Sequence, residues 1–140
     1  MRDFSLSFFT TGTATLIGNT TIGFASGLLF QPTPPPNTIS VSNVTVTEGD
    51  SGTTNATFTV TLGVPEATTT TVDYTTADSN ATGGMDYVTD IGTITFAPGE
   101  TSRTVTIDVL TDSLPEPNEV FFLLLSNPSG MVVLGNPIGV

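Results

Sequence analysis

Ala56-Thr57-Phe58-Thr59-Val60-Thr61-Leu62 puts an apolar side chain at every second position and threonine between them. Successive side chains of a strand point to opposite faces, so this alternation describes a strand with one face in a core and the other in water. The same period recurs outward from it. Upstream, Ile39, Val41, Val44 and Val46 mark a strand with a register change near Ser42-Asn43. Downstream, Val72 and Tyr74, then Ile94 and Phe96, then Val105, Ile107 and Val109 mark three more. Val120 to Leu125 is an unbroken apolar run, which predicts a central strand buried on both sides or a face packed against the N-terminal segment. Turn-forming stretches separate these runs: Glu48-Gly49-Asp50-Ser51-Gly52, Gly63-Val64-Pro65-Glu66, Asp78-Ser79-Asn80, Ala97-Pro98-Gly99-Glu100 and Leu114-Pro115-Glu116-Pro117-Asn118. Short strands at this spacing predict an all-β antiparallel sandwich.

Composition agrees and narrows the chemistry. Threonine fills 29 of the 140 positions, and its branched side chain suits a half-solvated pleated surface. Thirteen acids against two arginines give a net charge of −11. A phosphate polyanion or an anionic membrane surface is bound through Lys and Arg, so neither is an expected partner. With no Cys and no His, zinc sites, disulfides, thiol nucleophiles and Ser-His-Asp triads are excluded. A two-carboxylate glycosidase would still be open chemically, but the chain has no Trp for a sugar platform and its nine Phe read as core. No enzymatic activity is expected. An acidic, lysine-free, Thr-rich chain predicts an extracellular, cell-surface or virion-surface location.

Residues 1–31 differ from the rest. Phe4, Leu6 and Phe8 alternate with polar residues, and Ala14 to Phe24 reads as a hairpin turning at Gly18-Asn19. Thr10, Thr11 and Thr13 interrupt the apolar run, which predicts neither a cleaved signal peptide nor membrane insertion. Pro32 to Asn37, with three consecutive prolines, predicts a stiff extended linker. The expected organisation is therefore an N-terminal β-rich arm (1–31), a Pro-rich linker (32–37) and a sandwich (38–140).

Four tracts carry a family resemblance. They are Val46-Thr47-Glu48-Gly49-Asp50; Val72 to Asp78 leading to Gly83-Gly84-Met85-Asp86-Tyr87; Gly92 to Thr101; and Glu119 to Pro128. Together they resemble a Calx-beta domain, from about Thr38 to about Asn136, with nothing before Pro36 covered. The resemblance implies an immunoglobulin-like sandwich of six to seven strands. That fold occurs in the calcium-sensing region of sodium/calcium exchangers, in an integrin tail and in bacterial extracellular repeat proteins.

Ca²⁺ is the ligand the resemblance implies. It takes six to eight oxygens, so converging carboxylates are the expected donors. Carried over by position, those donors are Glu48, Asp86, Asp112, Glu116 and Glu119. Thr111-Asp112-Ser113 stands where exchangers have an aspartate run, Pro117 and Asn118 follow Glu116, and no acidic run follows the last strand. One weak Ca²⁺ site is the expectation. The same acids, with Asp50 and Asp78, also read as solvated turn residues. Asn19, Asn43, Asn55 and Asn80 begin Asn-x-Thr triplets permissive for glycosylation, as chance would supply in so Thr-rich a chain.

The last strand is expected to be short, built from Met131 to Val140 despite Pro137, or completed by another segment. An unfilled edge attracts a strand, and an apolar arm on a stiff spacer could supply one head to tail. The leading expectation is thus a structural subunit of a filament, surface layer or virion-associated assembly. It self-associates into a homo-oligomer or polymer through residues 1–31, and other surface or virion proteins are further partners. The alternative is a calcium-dependent binding or adhesion module of a larger surface protein, with the arm a neighbouring partial domain.

Overall fold

The computed structural model describes residues 35–47, 49, 51–111 and 117–140. The chain divides into Met1–Pro35 and Pro36–Val140, and the second unit is the one described. The arm expected over residues 1–31, with its hairpin at Gly18-Asn19, lies outside the described residues, as do Pro32 to Pro34 of the linker.

Eight strands are present among the described residues: β1 (Asn37–Val41), β2 (Gly52–Leu62), β3 (Thr70–Asp78), β4 (Ile91–Phe96), β5 (Ser102–Thr111), β6 (Phe121–Ser126), β7 (Val132–Leu134) and β8 (Ile138–Gly139). They form two four-stranded sheets, ordered β5-β2-β1-β7 and β4-β3-β6-β8. The alternation that begins at Ala56 is the sandwich's organising feature. Ala56, Phe58, Val60 and Leu62 are buried, while Thr57 and Thr61 face water. β2 pairs with β5 from Gly52↔Thr111 to Thr61↔Ser102, which sets Thr57 opposite Thr106 with their hydroxyls 3.2 Å apart. Phe58, Val60, Ile39 and Ile107 from one sheet meet Val72, Phe96 and Leu123 from the other. Each such side chain contributes roughly 1.5–3 kcal/mol when fully removed from water.

The structure departs from the sequence reading in two places and decides between its alternatives in a third. First, β1 ends at Val41 instead of running to Val46. Beyond it the amide of Ser42 bonds Thr59 O (2.9 Å) and that of Val44 bonds Val140 O (2.8 Å), so the expected register change is a change of sheet. Second, β6 is central in its sheet, between β3 and β8, yet only Leu123 and Leu125 are buried. Phe122 and Leu124 on the other face stay half-buried.

Third, the C-terminal residues close the sandwich themselves. After β6 the chain crosses to the first sheet, where β7 lies parallel to β1 (Ile39↔Leu134), and then returns as β8 beside β6. The pairing is parallel because the chain reaches β7 by crossing between sheets and not by a hairpin within one. The return passes through Gly135-Asn136-Pro137. Gly135 N bonds Ile39 O (2.8 Å), Val41 N bonds Asn136 O (2.9 Å), and Leu125 N bonds Pro137 O (2.8 Å). A Cβ at Gly135 would stand 2.6 Å from Ser40 Oγ, and one at Gly139 would stand 2.9 Å from both Phe58 Cδ1 and Ser42 O. Close backbone approach therefore requires glycine at Gly139, while at Gly135 a Cβ would displace the Ser40 hydroxyl.

Candidate functional site

β3 and β5 finish, and β2 and β6 begin, at one end of the sandwich, as the pairs Gly52↔Thr111 and Asp78↔Phe121 show. The connection from Ser79 to Asp90 laces the two sheets together there. Ala81 N bonds Val120 O (3.1 Å) on the β6 side, while Val88 N bonds Asp108 O (2.8 Å) and Leu110 N bonds Asp86 O (2.9 Å) on the β5 side. Asn80 adds both of its amide groups, accepting from Val120 N (2.7 Å) and donating to Asn118 O (3.2 Å).

Tyr87 is the pin of this lacing. Its ring is 1% exposed and stacks on Phe121 with centroids 4.3 Å apart, and Phe121 in turn meets Phe58 edge-on at 5.9 Å. Its hydroxyl donates to Asp78 Oδ1 (2.5 Å), the same oxygen that accepts from Gly83 N (2.9 Å). The next amide back, Thr82 N, donates to Asp86 Oδ2 (2.7 Å). Two adjacent backbone amides are thus each held by a different carboxylate. Gly84, with φ of +84°, turns the chain between them, a conformation that favours glycine.

These contacts set the local acidities. The Tyr87 hydroxyl, and then the Gly83 amide, hold Asp78 below its ordinary value of 3.8. Burial, and then the Asp78 carboxylate, push Tyr87 up from 10.0 to about 12.

Of the five expected Ca²⁺ donors, Asp86 and Glu119 are described. Asp86 is half-buried in the turn just given, and Glu119 is half-buried two residues before β6, with its Oε2 shielded from solvent. Glu48, Asp112 and Glu116 lie outside the described residues. Among the described residues no three acids converge into a metal-binding group. The donor chemistry available is all oxygen, since the chain holds no His or Cys, and that suits Ca²⁺ rather than zinc.

Asp78, which the sequence reading leaves as a turn residue, is the acid most tightly built into this end. The usable signal was Tyr87 itself, an aromatic hydroxyl following a Gly-Gly turn. A concavity of about 440 Å³ opens between β4 and β5 away from these acids, and Tyr74, Asp90 and Arg103 line it. There Tyr74 donates to Asp90 Oδ2 (2.8 Å).

Comparisons with known proteins bear on this geometry. The family model of the Calx-beta domain matches residues 3–71 and 38–139. Rat sodium/calcium exchanger 2 is 43% identical over 56 residues, which are 40% of this chain and 6% of the exchanger. The sodium/calcium exchanger Calx of Drosophila melanogaster is 37% identical over 67 residues, 48% of this chain and 7% of that protein. Among solved structures, the apo-form Calx CBD1 domain superimposes with a TM-score of 0.60 at 24% identity, covering 76% of this chain and 97% of that one. CBD12 from CALX1.2 gives a TM-score of 0.63 at 27% identity, covering 73% of this chain and 44% of that one. The chain spans about 6% of the length of the rat exchanger it matches.

Two expectations are corrected by these findings. The family match is not confined to the residues after Pro36, because it also begins at residue 3. The reading as a self-assembling filament, surface-layer or virion subunit is overturned, since the matched relatives are sodium/calcium exchangers and the fold is that of Calx CBD domains. Its physical premise fails as well: β7 fills the free edge of β1 and β8 that of β6, so neither edge calls for a donor strand. With its sandwich, its motifs and residues 3–71 and 38–139 matched, this chain belongs to the Calx-beta domain family.

Proposed function

We propose that this chain is a calcium-binding module of a larger polypeptide that works at a membrane, with the ion held at the end of the sandwich where Asp78 and Asp86 meet adjacent amides. That pairing carries the reading: two carboxylates are pre-positioned by Tyr87 OH, Gly83 N and Thr82 N on one turn, within an all-oxygen donor set. Asp78 and Asp86 would hold the ion, joined by Glu48, Asp112 and Glu116 from the adjoining sequence. Bound Ca²⁺ supplies positive charge that offsets carboxylate repulsion across strand ends from both sheets. The 43% identity over 56 residues with a sodium/calcium exchanger supports a membrane setting, and the acidic, lysine-free composition favours the cell surface as the finer placement. We assign the module no catalytic step; its output is a change in stiffness on ion binding.

Calorimetric titration of the full chain with CaCl₂ tests this. One saturable binding event is expected, weakened at least tenfold in Asp78→Asn and in Asp86→Asn. No binding heat up to millimolar Ca²⁺, with no change in thermal unfolding on adding EGTA, would overturn it.

A further inference from the structure

On one side of the sandwich the C-terminal strands lie along β1 and β6, while on the other β5 and β4 end their sheets with no further strand among the described residues. The ladders fix which backbone groups face that open side. Thr76 N bonds Asp90 O (2.9 Å), and hydrogen-bonded pairs alternate along antiparallel strands, so Gly92 and Ile94 turn their backbone groups to β3 while Thr93 and Thr95 turn theirs outward. Leu62 N bonds Thr101 O (2.8 Å), and by the same alternation Thr104 and Thr106 turn theirs outward from β5. These four threonines line the concavity of about 440 Å³, together with Ile94 and Val105.

The two edges are not equally protected. Further along β5 the carbonyl of Asp108 accepts from Val88 N (2.8 Å) and the amide of Leu110 donates to Asp86 O (2.9 Å), so that stretch is covered, and Arg103 and Asp108 put charge on the strand. β4 reads Ile91-Gly92-Thr93-Ile94-Thr95-Phe96, without charge or proline, and it pairs with β3 in unbroken register. Ile91 stands 79% exposed at its start. Edge strands are normally blunted by charge, proline, a bulge or a cover, and β4 shows none of these among the described residues. An extended segment laid along it would bond Thr93 and Thr95 and place every second side chain in the concavity against Ile94 and Val105.

Charge selects the segment. Arg103 is already paired with Glu100, whereas Asp90, on the wall of the concavity, is held by the Tyr74 hydroxyl (2.8 Å) and the Ile91 amide (2.9 Å) and by no cation. The net charge of −11 repels a second copy of the chain and attracts a basic strand. We propose that the free edge of β4 is a docking site for an extended basic segment of another polypeptide, with alternate apolar side chains in the concavity and a Lys or Arg beside Asp90. The site uses neither Asp78 nor Asp86, so it stands or falls separately from calcium binding.

The probe is a fluorescent peptide of alternating Val and Thr with Lys at each end, titrated into the full chain in EGTA and followed by anisotropy and amide exchange. Saturable binding is expected, with exchange at Thr93 and Thr95 slowed on the order of tenfold and exchange in β2 unchanged. Thr95→Pro removes an outward amide that β3 does not use and should weaken binding about tenfold or more. Asp90→Asn provides a second variant should the first disturb the fold, and it should also weaken binding. A peptide with Glu in place of Lys should bind about tenfold more weakly or not at all. No binding of the Lys peptide up to millimolar concentration, equal binding of the Glu peptide, or protection falling elsewhere than at Thr93 and Thr95 would overturn the proposal.

Discussion

The two ends of the sandwich are both tied by side chains bonding to backbone, yet among the described residues only one has a cation of its own. At the end where β2 stops, Asn37 bonds the backbone of Val64 in both directions (2.9 and 2.7 Å) and donates to Glu66 Oε1 (2.8 Å). Glu100 there accepts from Ala97 N (2.7 Å) and pairs with Arg103, the one cationic side chain among the described residues. At the other end, among the described residues, Asp78 and Asp86 are countered by amides and a phenol. Neutral dipoles orient a carboxylate without removing its charge. The first end is therefore electrostatically closed, and the second is left responsive to pH, to salt and to divalent ions.

The strongest way to break that difference is to remove the pin. Tyr87→Ala deletes a ring that is 1% exposed and stacked on Phe121, and should cost about 3–5 kcal/mol in urea denaturation. Next comes the ion. At a hundredfold excess over its dissociation constant, Ca²⁺ should add about 2.7 kcal/mol of stability. Asp78→Asn should cut that gain to about 1.4 kcal/mol or less and Glu100→Gln should leave it intact; equal losses from both variants would erase the distinction between the ends.

Titration sharpens the comparison further. Tyr87 is raised in the folded state, so its contribution is complete below pH 10 and is lost as pH climbs toward about 12. Denaturation midpoints across that window should fall in the wild type and fall less in Tyr87→Phe. Asp78 is lowered in the folded state, so its contribution holds above pH 3.8 and disappears as pH drops below it. Asp78→Asn should flatten that acid limb. The smallest effect belongs to the closed end. Arg103 and Glu100 are 44% and 39% exposed, and Arg103→Ala should shift the thermal midpoint less than any change above, and less again in high salt.

Much of the fold was legible because it is written in short-range pattern. Ala56 to Leu62 shows its two faces in consecutive letters, and the Gly83-to-Tyr87 tract is one of four that together carry the family. The apolar run at Phe121 to Leu125 was less legible. A run without alternation marks a central strand but cannot say whether its second face has a cover, and here Phe122 and Leu124 remain half-buried. Asp78 was hidden for a related reason: its partner Tyr87 is nine residues away and reaches it only after the Gly84 turn reverses the chain.

What the residues by themselves determined is therefore the strand set, its buried faces, the family and an acid-only donor chemistry, because each depends on side-chain type at fixed local spacing. What only the tertiary structure decided is the parallel β7 beside β1, the closure of the edges by the C-terminal segment, and the meeting of Asp78, Tyr87 and Asp86 on one turn. Those depend on hydrogen-bond registers between segments far apart in the chain, which local periodicity constrains in phase but not in partner.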